Sequence, residues 1–149
     1  MGRRHPILII LLLLLVAATT AQAQNNSQTL IQQAQAQSEA GDLDQAINLL
    51  NQAIELAPDS SLAYTRLGGV HLLQRDYSSG IKNFQQAIML DGKNADAFIG
   101  LSVAYLHMGR YSLAREALKE ASRLGPDKQQ EINNVLAWLD QRDSRQAGH

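Results

Sequence analysis

Residues 61–94 read SLAYTRLGGVHLLQRDYSSGIKNFQQAIMLDGKN. Tyr64, Leu67, Gly68 and His71 recur at helical spacing, Arg75-Asp76 makes a polar break, and Gly80, Phe84 and Ala87 form a second stripe at i, i+4 and i+7. Gly92 then ends the pattern, as glycine commonly ends helices. The stretch predicts two amphipathic helices joined by a tight turn.

Working outward by the length of this stretch, in either direction, repeats the pattern. Ala53, Ala87 and Ala121 coincide, as do Leu56, Leu90 and Leu124. Ala46, Gly80 and Ala114 align, followed by Leu50, Phe84 and Leu118, while Leu43 matches Tyr77 and Tyr111, and Leu30 matches Tyr64 and Phe98. Three units result, 27–60, 61–94 and 95–128, without insertions. Their turns fall at Gly41-Asp42, Arg75-Asp76 and Gly109-Arg110, and their second helices stop near Pro58, Gly92 and Gly125-Pro126. Small residues at 46, 80, 114, 53, 87 and 121 let paired helices approach closely. A period of this length marks a stack of supersecondary units, none able to bury its apolar face alone.

The spacing resembles the tetratricopeptide repeat, a helix–turn–helix unit of the same period with aromatic, Leu-Gly, Tyr, Ala, Phe and Pro marks. The middle unit carries it best, in Tyr64, Leu67-Gly68, His71, Gly80, Phe84 and Ala87. The third gives Phe98, Leu101-Ser102, Tyr105, Ala114, Leu118, Ala121 and Pro126. The first keeps Ala46, Leu50, Ala53 and Pro58, but Leu30, Gln33, Ala34 and Gln37 make its opening helix degenerate. The resemblance implies an all-α, right-handed superhelical solenoid of three repeats plus a C-terminal capping helix.

The flanks read differently. Arg3 and Arg4 precede an apolar run from Ile7 to Ala18, then Ala21-Gln22-Ala23 places small residues at −3 and −1. That is the pattern of a secretory signal peptide over residues 1–23, with cleavage expected after Ala23. As a helix, the apolar run would cover only about 18 Å of a hydrocarbon core about 30 Å thick, which argues against a retained anchor. Losing both arginines takes the formal charge from −1 to −3. Residues 24–26 form a short lead-in. At the other end, Asp127 with Gln130 makes an N-cap pair, and Ile132, Val135, Leu136 and Leu139 form one stripe, so a capping helix is expected over 129–143 and a disordered tail over 144–149. Trp138 lies beside the stripe, at the edge of the packing or as an exposed contact point.

Composition excludes several classes of function. With 13 Lys+Arg against 14 Asp+Glu, the chain has no concentrated basic surface to neutralise nucleic-acid phosphates. Without Cys it has no disulfide, thiol nucleophile or Cys-ligated zinc. No G-x-G-x-x-G, Walker loop, G-x-S-x-G or H-E-x-x-H occurs. His71 reads as a half-buried structural residue, and His107 as a residue of the inner face; two His without paired carboxylates make a poor metal site. The expectation is a non-catalytic protein with no cofactor and no metal.

Function should then reside in the groove lined by the first helix of each unit. The resemblance implies ligand contacts at fixed register positions, which in this chain fall at Ile31 and Gln35, at Leu62, Thr65, Gly69, Leu72 and Leu73, and at Asp96, Ile99, Val103, Leu106 and His107. The Lys/Asn set by which some family members hold a C-terminal carboxylate is missing. The wall is apolar at Leu62, Leu72, Leu73, Ile99, Val103 and Leu106 in particular, and an exposed apolar patch usually marks an interaction site. Gly69, a second mid-helix glycine after Gly68, either opens the backbone to a ligand or relieves crowding between adjacent first helices. The expectation is a protein–protein interaction scaffold of the cell envelope, exported to a bacterial periplasm by analogy with envelope members of the family, that binds an apolar or amphipathic peptide. The alternative use of the same surface is self-association into a homodimer, or docking as a subunit of an envelope complex for secretion, pilus or cytochrome biogenesis.

Overall fold

The computed structural model describes residues 5–147; Arg3, Arg4 and the last two residues of the expected tail lie outside them. The described residues form seven α-helices and one 3-10 turn: α1 His5–Glu39, α2 Leu43–Leu56, α3 Ser61–Leu73, α4 Tyr77–Leu90, α5 Ala95–His107, α6 Tyr111–Leu124, the turn Pro126–Lys128, and α7 Gln129–Ala147. Helices α1/α2, α3/α4 and α5/α6 pair as hairpins, and α2 packs on α3, α4 on α5 and α6 on α7. The first helices of successive hairpins, α1, α3 and α5, also touch in sequence. This is an all-α solenoid.

One backbone device makes all three hairpin turns. Gly41, Arg75 and Gly109, each one repeat from the next, all take positive φ (86°, 62° and 68°). The amide following each of them then reaches back along the first helix: Asp42 N to Gln37 O at 2.9 Å, Asp76 N to His71 O at 2.9 Å, and Arg110 N to Tyr105 O at 2.8 Å. This left-handed closure satisfies carbonyls that the ending helix would leave bare.

The next residue caps the following helix, with one exception. Asp42 Oδ1 accepts from Gln45 N, and Asp76 Oδ1 from Ser79 N, both at 3.1 Å. The Ser79 hydrogen bonds also hold the Asp76 carboxyl below its ordinary pKa. Arg110 has the same backbone angles (φ −88°, ψ 64°, against −84°, 73° at Asp76) but makes no side-chain cap, and it puts a cation at a helix N-terminus. Arg110→Asp should therefore supply the missing acceptor without moving the backbone. Caps of this kind contribute about 0.5–2 kcal/mol, so the variant should unfold at a higher urea concentration with an unchanged slope.

The core is a column of side chains between the two layers of helices. Ala34, Ala46, Leu50, Ala53 and Leu67 meet in the first segment, Phe84, Ala87, Leu101, Tyr105 and Ala114 in the second, and Leu118, Ala121, Ile132 and Leu139 in the third. The small residues picked out by the period lie at the helix contacts, where Ala46, Ala53, Ala87, Ala114 and Ala121 are fully buried. Ser27 donates to Ala53 O and Ser61 to Ala87 O, both at 2.9 Å, so each tethers its first helix to the end of its second.

Both flanks depart from the simplest expectation. Helix α1 runs unbroken from the apolar segment into the first hairpin; Leu8–Gln22 is exposed throughout, and Ser27 is the first buried residue. From Leu8 this helix is long and apolar enough to cross a membrane, a property it shares with signal sequences. The C-terminal helix does not stop at residue 143 but continues to Ala147. Its later turns have tertiary partners: Arg142 lies 3.4 Å over the Tyr111 ring, and Arg115 bonds Asp143 at 2.7 Å and also pairs with Asp140. The guanidinium–carboxylate bonds raise the Arg115 pKa. Trp138 meets Tyr111 edge-on at 6.3 Å and remains half exposed, so it is both an edge contact and an accessible ring.

Candidate binding surface

Two hollows of the solenoid lie between the first helices α1 and α3. Between α1 and α3 a cleft of about 340 Å³ is floored by Ala34, Leu50 and Val70 and rimmed by Gln35, Ser38, Glu39, Arg66 and Leu73. Gln28, Ile31 and Leu62 line a second hollow of about 340 Å³ toward the start of the same helices, beside Ser60 and Asp59. Helix α7 packs on α6 but stands away from α5, leaving an apolar cleft of about 170 Å³ lined by Ile99, Val103, Leu106, Leu118, Ile132 and Val135.

The twelve groove residues expected from the sequence divide into three groups. Gln35, Leu62, Gly69 and Leu73 border open space beside α1 and α3, with Leu73 61% and Leu62 42% exposed. Ile99, Val103 and Leu106 are half-buried and share the smaller cleft under α7. The remaining five are engaged by the protein's own contacts, although Ile31 and Thr65 still border the hollows between α1 and α3. Ile31 is only 5% exposed and belongs to the first core segment. Thr65 is buried, donating its hydroxyl to Ser61 O at 2.8 Å and accepting from Asn94 at 2.9 Å. Leu72 turns away from the groove toward α4, where a Cβ added to Gly80 would touch its Cδ2 at 3.3 Å. Asp96 is exposed but paired with Lys128, whose pKa the carboxylate raises. His107, expected on the inner face, lies flat on Tyr77 at 4.8 Å, against the second helix of the preceding hairpin. The oily wall is thus divided among three hollows and is not one continuous strip.

His71 is half-buried, as its register implies; its Nδ1 has no hydrogen-bond partner and lies 3.8 Å from the Asp76 carboxylate. Among the described residues no group of three or more His, Asp and Glu side chains could hold a metal ion.

The two adjacent glycines of α3 have opposite meanings. A Cβ on Gly68 would lie 2.8 Å from the Phe84 ring, so its absence is required by packing. A Cβ on Gly69 would meet nothing within 4 Å. Crowding therefore does not explain Gly69, which costs the helix about 1 kcal/mol relative to Ala and leaves backbone bare at the α1–α3 cleft.

Sequence reasoning missed Asn94. Its Oδ1 caps α5 by accepting from Ala97 N at 2.9 Å, while its Nδ2 donates to Ser61 Oγ at 2.7 Å and to Thr65 Oγ1. It thereby ties the start of α5 to α3. An Asn at the register of the Ser60 cap was the available signal, but the cross-link itself requires the stacked geometry.

Two tetratricopeptide-repeat family models match the chain, one over residues 31–81 and one over 71–139. It is 33% identical over 104 residues to mouse tetratricopeptide repeat protein 36, aligning 67% of this chain with 56% of that protein. It is 32% identical over 92 residues to anaphase-promoting complex subunit 3 of Schizosaccharomyces pombe, aligning 62% of this chain with 13% of that protein. The chain thus spans little more than half of one relative and about an eighth of the other. Among solved structures, the Arabidopsis OM64 TPR domain superposes with a TM-score of 0.74 at 20% identity, covering 80% of this chain and 98% of that one. The first TPR of Spaghetti (RPAP3) bound to the HSP90 peptide SRMEEVD gives 0.76 at 15% identity, covering 81% and 95%. At these identities the superpositions establish the fold. With the family models covering both halves of the solenoid, and hairpins recurring at one constant period, the chain is a tetratricopeptide-repeat protein.

Proposed function

We propose that this chain is an exported, non-catalytic interaction module of three repeats that holds an apolar or amphipathic peptide of a partner protein against its first helices. The observation that carries this reading is the open α1–α3 cleft, apolar at its floor, with Leu73 61% exposed on its rim. A contiguous apolar concavity in a soluble domain usually marks a docking site. The coarser role is common to repeats of this type, and neighbours of this fold include domains with a bound peptide. Mutating the rim tests the reading. Leu73→Glu, which adds a charge at an exposed site, should leave helical content by circular dichroism intact and abolish retention of a partner by the immobilised protein. Unchanged retention by both Leu73→Glu and Val103→Glu would remove this face from consideration.

Export rests on the signal-like segment, and the periplasm on analogy with envelope proteins of similar build. Cleavage after Ala23 would remove the exposed apolar stretch Leu8–Val16 and keep Ser27, the first buried residue, in place on Ala53. Intact-mass measurement of the protein recovered from the envelope should show a chain beginning at Gln24. A mass that includes Leu8–Val16 would replace the cleaved signal with a retained anchor.

A further inference from the structure

We propose that the α1–α3 cleft is a receptor for one bulky apolar side chain of a peptide that carries a carboxylate beside it, with Arg66 taking the carboxylate. This rests on the groove reading above and adds what the groove selects.

The shape comes first. At about 340 Å³ the cleft is near the small end of ligand pockets, roughly 300–1,000 Å³. It admits a side chain and excludes a whole helix. Its floor is buried and apolar: Ala34 from α1, Leu50 from α2 and Val70 from α3. The wall between them is the bare backbone of Gly69, where a Cβ would project into empty space. The other glycines at helix contacts differ: at Gly68, Gly80 and Gly100 an added Cβ would meet Phe84 or Leu72 at 3.3 Å or less. The protein's own packing requires those absences and makes no use of the one at Gly69. The guest side chain uses it.

Charge then fixes the neighbour. Glu39 and Arg66 line opposite sides of the same cleft without forming an ion pair with each other. Glu39 is engaged by the Gln35 amide at 3.0 Å. Among the described residues neither side chain has an ion-pair partner, but Glu39 is at least hydrogen-bonded, whereas Arg66 makes no hydrogen bond or ion pair, so its guanidinium is the rim charge with all its donors open. A carboxylate presented there makes a charge-assisted, geometrically bidentate contact. On the α3 side of the cleft an acidic residue next to the apolar anchor therefore complements Arg66, and a basic one placed there is repelled by it.

The test uses the purified protein and a grid of nine-residue peptides whose central residue is Ala, Val, Leu or Phe, flanked by Glu, Gln or Lys. Dissociation constants, read by fluorescence anisotropy, should fall at least ten-fold from Ala to Leu or Phe within the Glu-flanked set. Gly69→Leu, which fills the cleft, should erase that dependence, and Arg66→Glu should shift the preference to Lys flanks. Gly69→Ala should melt at a higher temperature than the parent, which separates pocket filling from misfolding. Binding that ignores the central residue, or survives Gly69→Leu with the same selectivity, overturns the receptor while leaving the groove reading in place. Preference for Lys flanks in the parent overturns the role of Arg66. Absence of binding to every peptide at millimolar concentration overturns both readings, as does retention of nothing but further copies of this chain.

Discussion

Phe84→Ala is expected to cost about 3–5 kcal/mol, the range for emptying a large buried aromatic site. Phe84 is 2% exposed and stands on α4 between α3 and α5, its ring meeting the bare backbone of Gly68 on one helix and of Gly100 on the other. The size match is specific to this level of the stack. In the same register Leu50 faces a level with Ala34, and Leu118 one with Ser102, so only the middle hairpin pairs an aromatic ring with two glycines. Neither glycine has a side chain to swing into the void, so the cavity cannot collapse cheaply. Stability in a stacked array is a sum of unit terms and nearest-neighbour interfaces, and Phe84 belongs to two of them. A loss of this size is a large fraction of the roughly 5–15 kcal/mol typical of a domain. Urea unfolding should show the midpoint collapse and the single transition split, with the α1–α3 portion and the α5–α7 portion melting apart. A loss below about 1 kcal/mol, small against the usual range for such truncations, with one sharp transition would show that the ring does not couple the two.

The architecture was legible because its causes are local and repeated. The fully buried Ala53, Ala87 and Ala121 recur at the repeat period, and the stops at Pro58, Gly92 and Gly125 fall just past the helix ends at Leu56, Leu90 and Leu124. Arg75 was readable as part of a turn, but not as a residue held at positive φ, because its counterparts Gly41 and Gly109 do the same job with no side chain. The final turn of α7 was unreadable for the opposite reason. Arg142 and Asp143, the last residues of the expected capping helix, carry no sequence sign of their contacts with Tyr111 and Arg115, which anchor α7 just before it runs on to Ala147.

The binding surface was only partly legible, since register gives a residue's position along its helix and not which neighbour claims it. Leu72 and Leu73 are consecutive leucines with the same composition around them. Gly80 leaves a notch that Leu72 fills, whereas Leu73 stands on the rim of the α1–α3 cleft and stays exposed. Thr65 was a reasonable ligand contact until Asn94, far along the chain on the next hairpin, consumed its hydroxyl. Gly68 and Gly69 are indistinguishable as letters, and only the position of the Phe84 ring separates the packing requirement from the open site.

Gly100→Ala sets two magnitudes against each other. In a helix interior the substitution should stabilise by about 1 kcal/mol through propensity alone. The added Cβ, however, would overlap Cε1 and Cζ of the Phe84 ring outright, closer than any real contact sustains. The ring has little freedom to shift toward α3, because a Cβ on Gly68 would itself fall 2.8 Å from the same Cε1 atom. Either α5 must lift from α4 or the ring must leave its rotamer, and overpacking of this kind costs about 1–3 kcal/mol. The clash therefore outweighs the propensity, and Gly100→Ala should lower stability despite improving the helix. Combining it with Phe84→Leu, which shortens the offending ring, isolates the cause. The two substitutions should be strongly non-additive, the double variant recovering the propensity gain that the single one hides, as expected for residues in direct contact. Additive losses would mean that Gly100 is required for its backbone freedom and not for the space it leaves to Phe84.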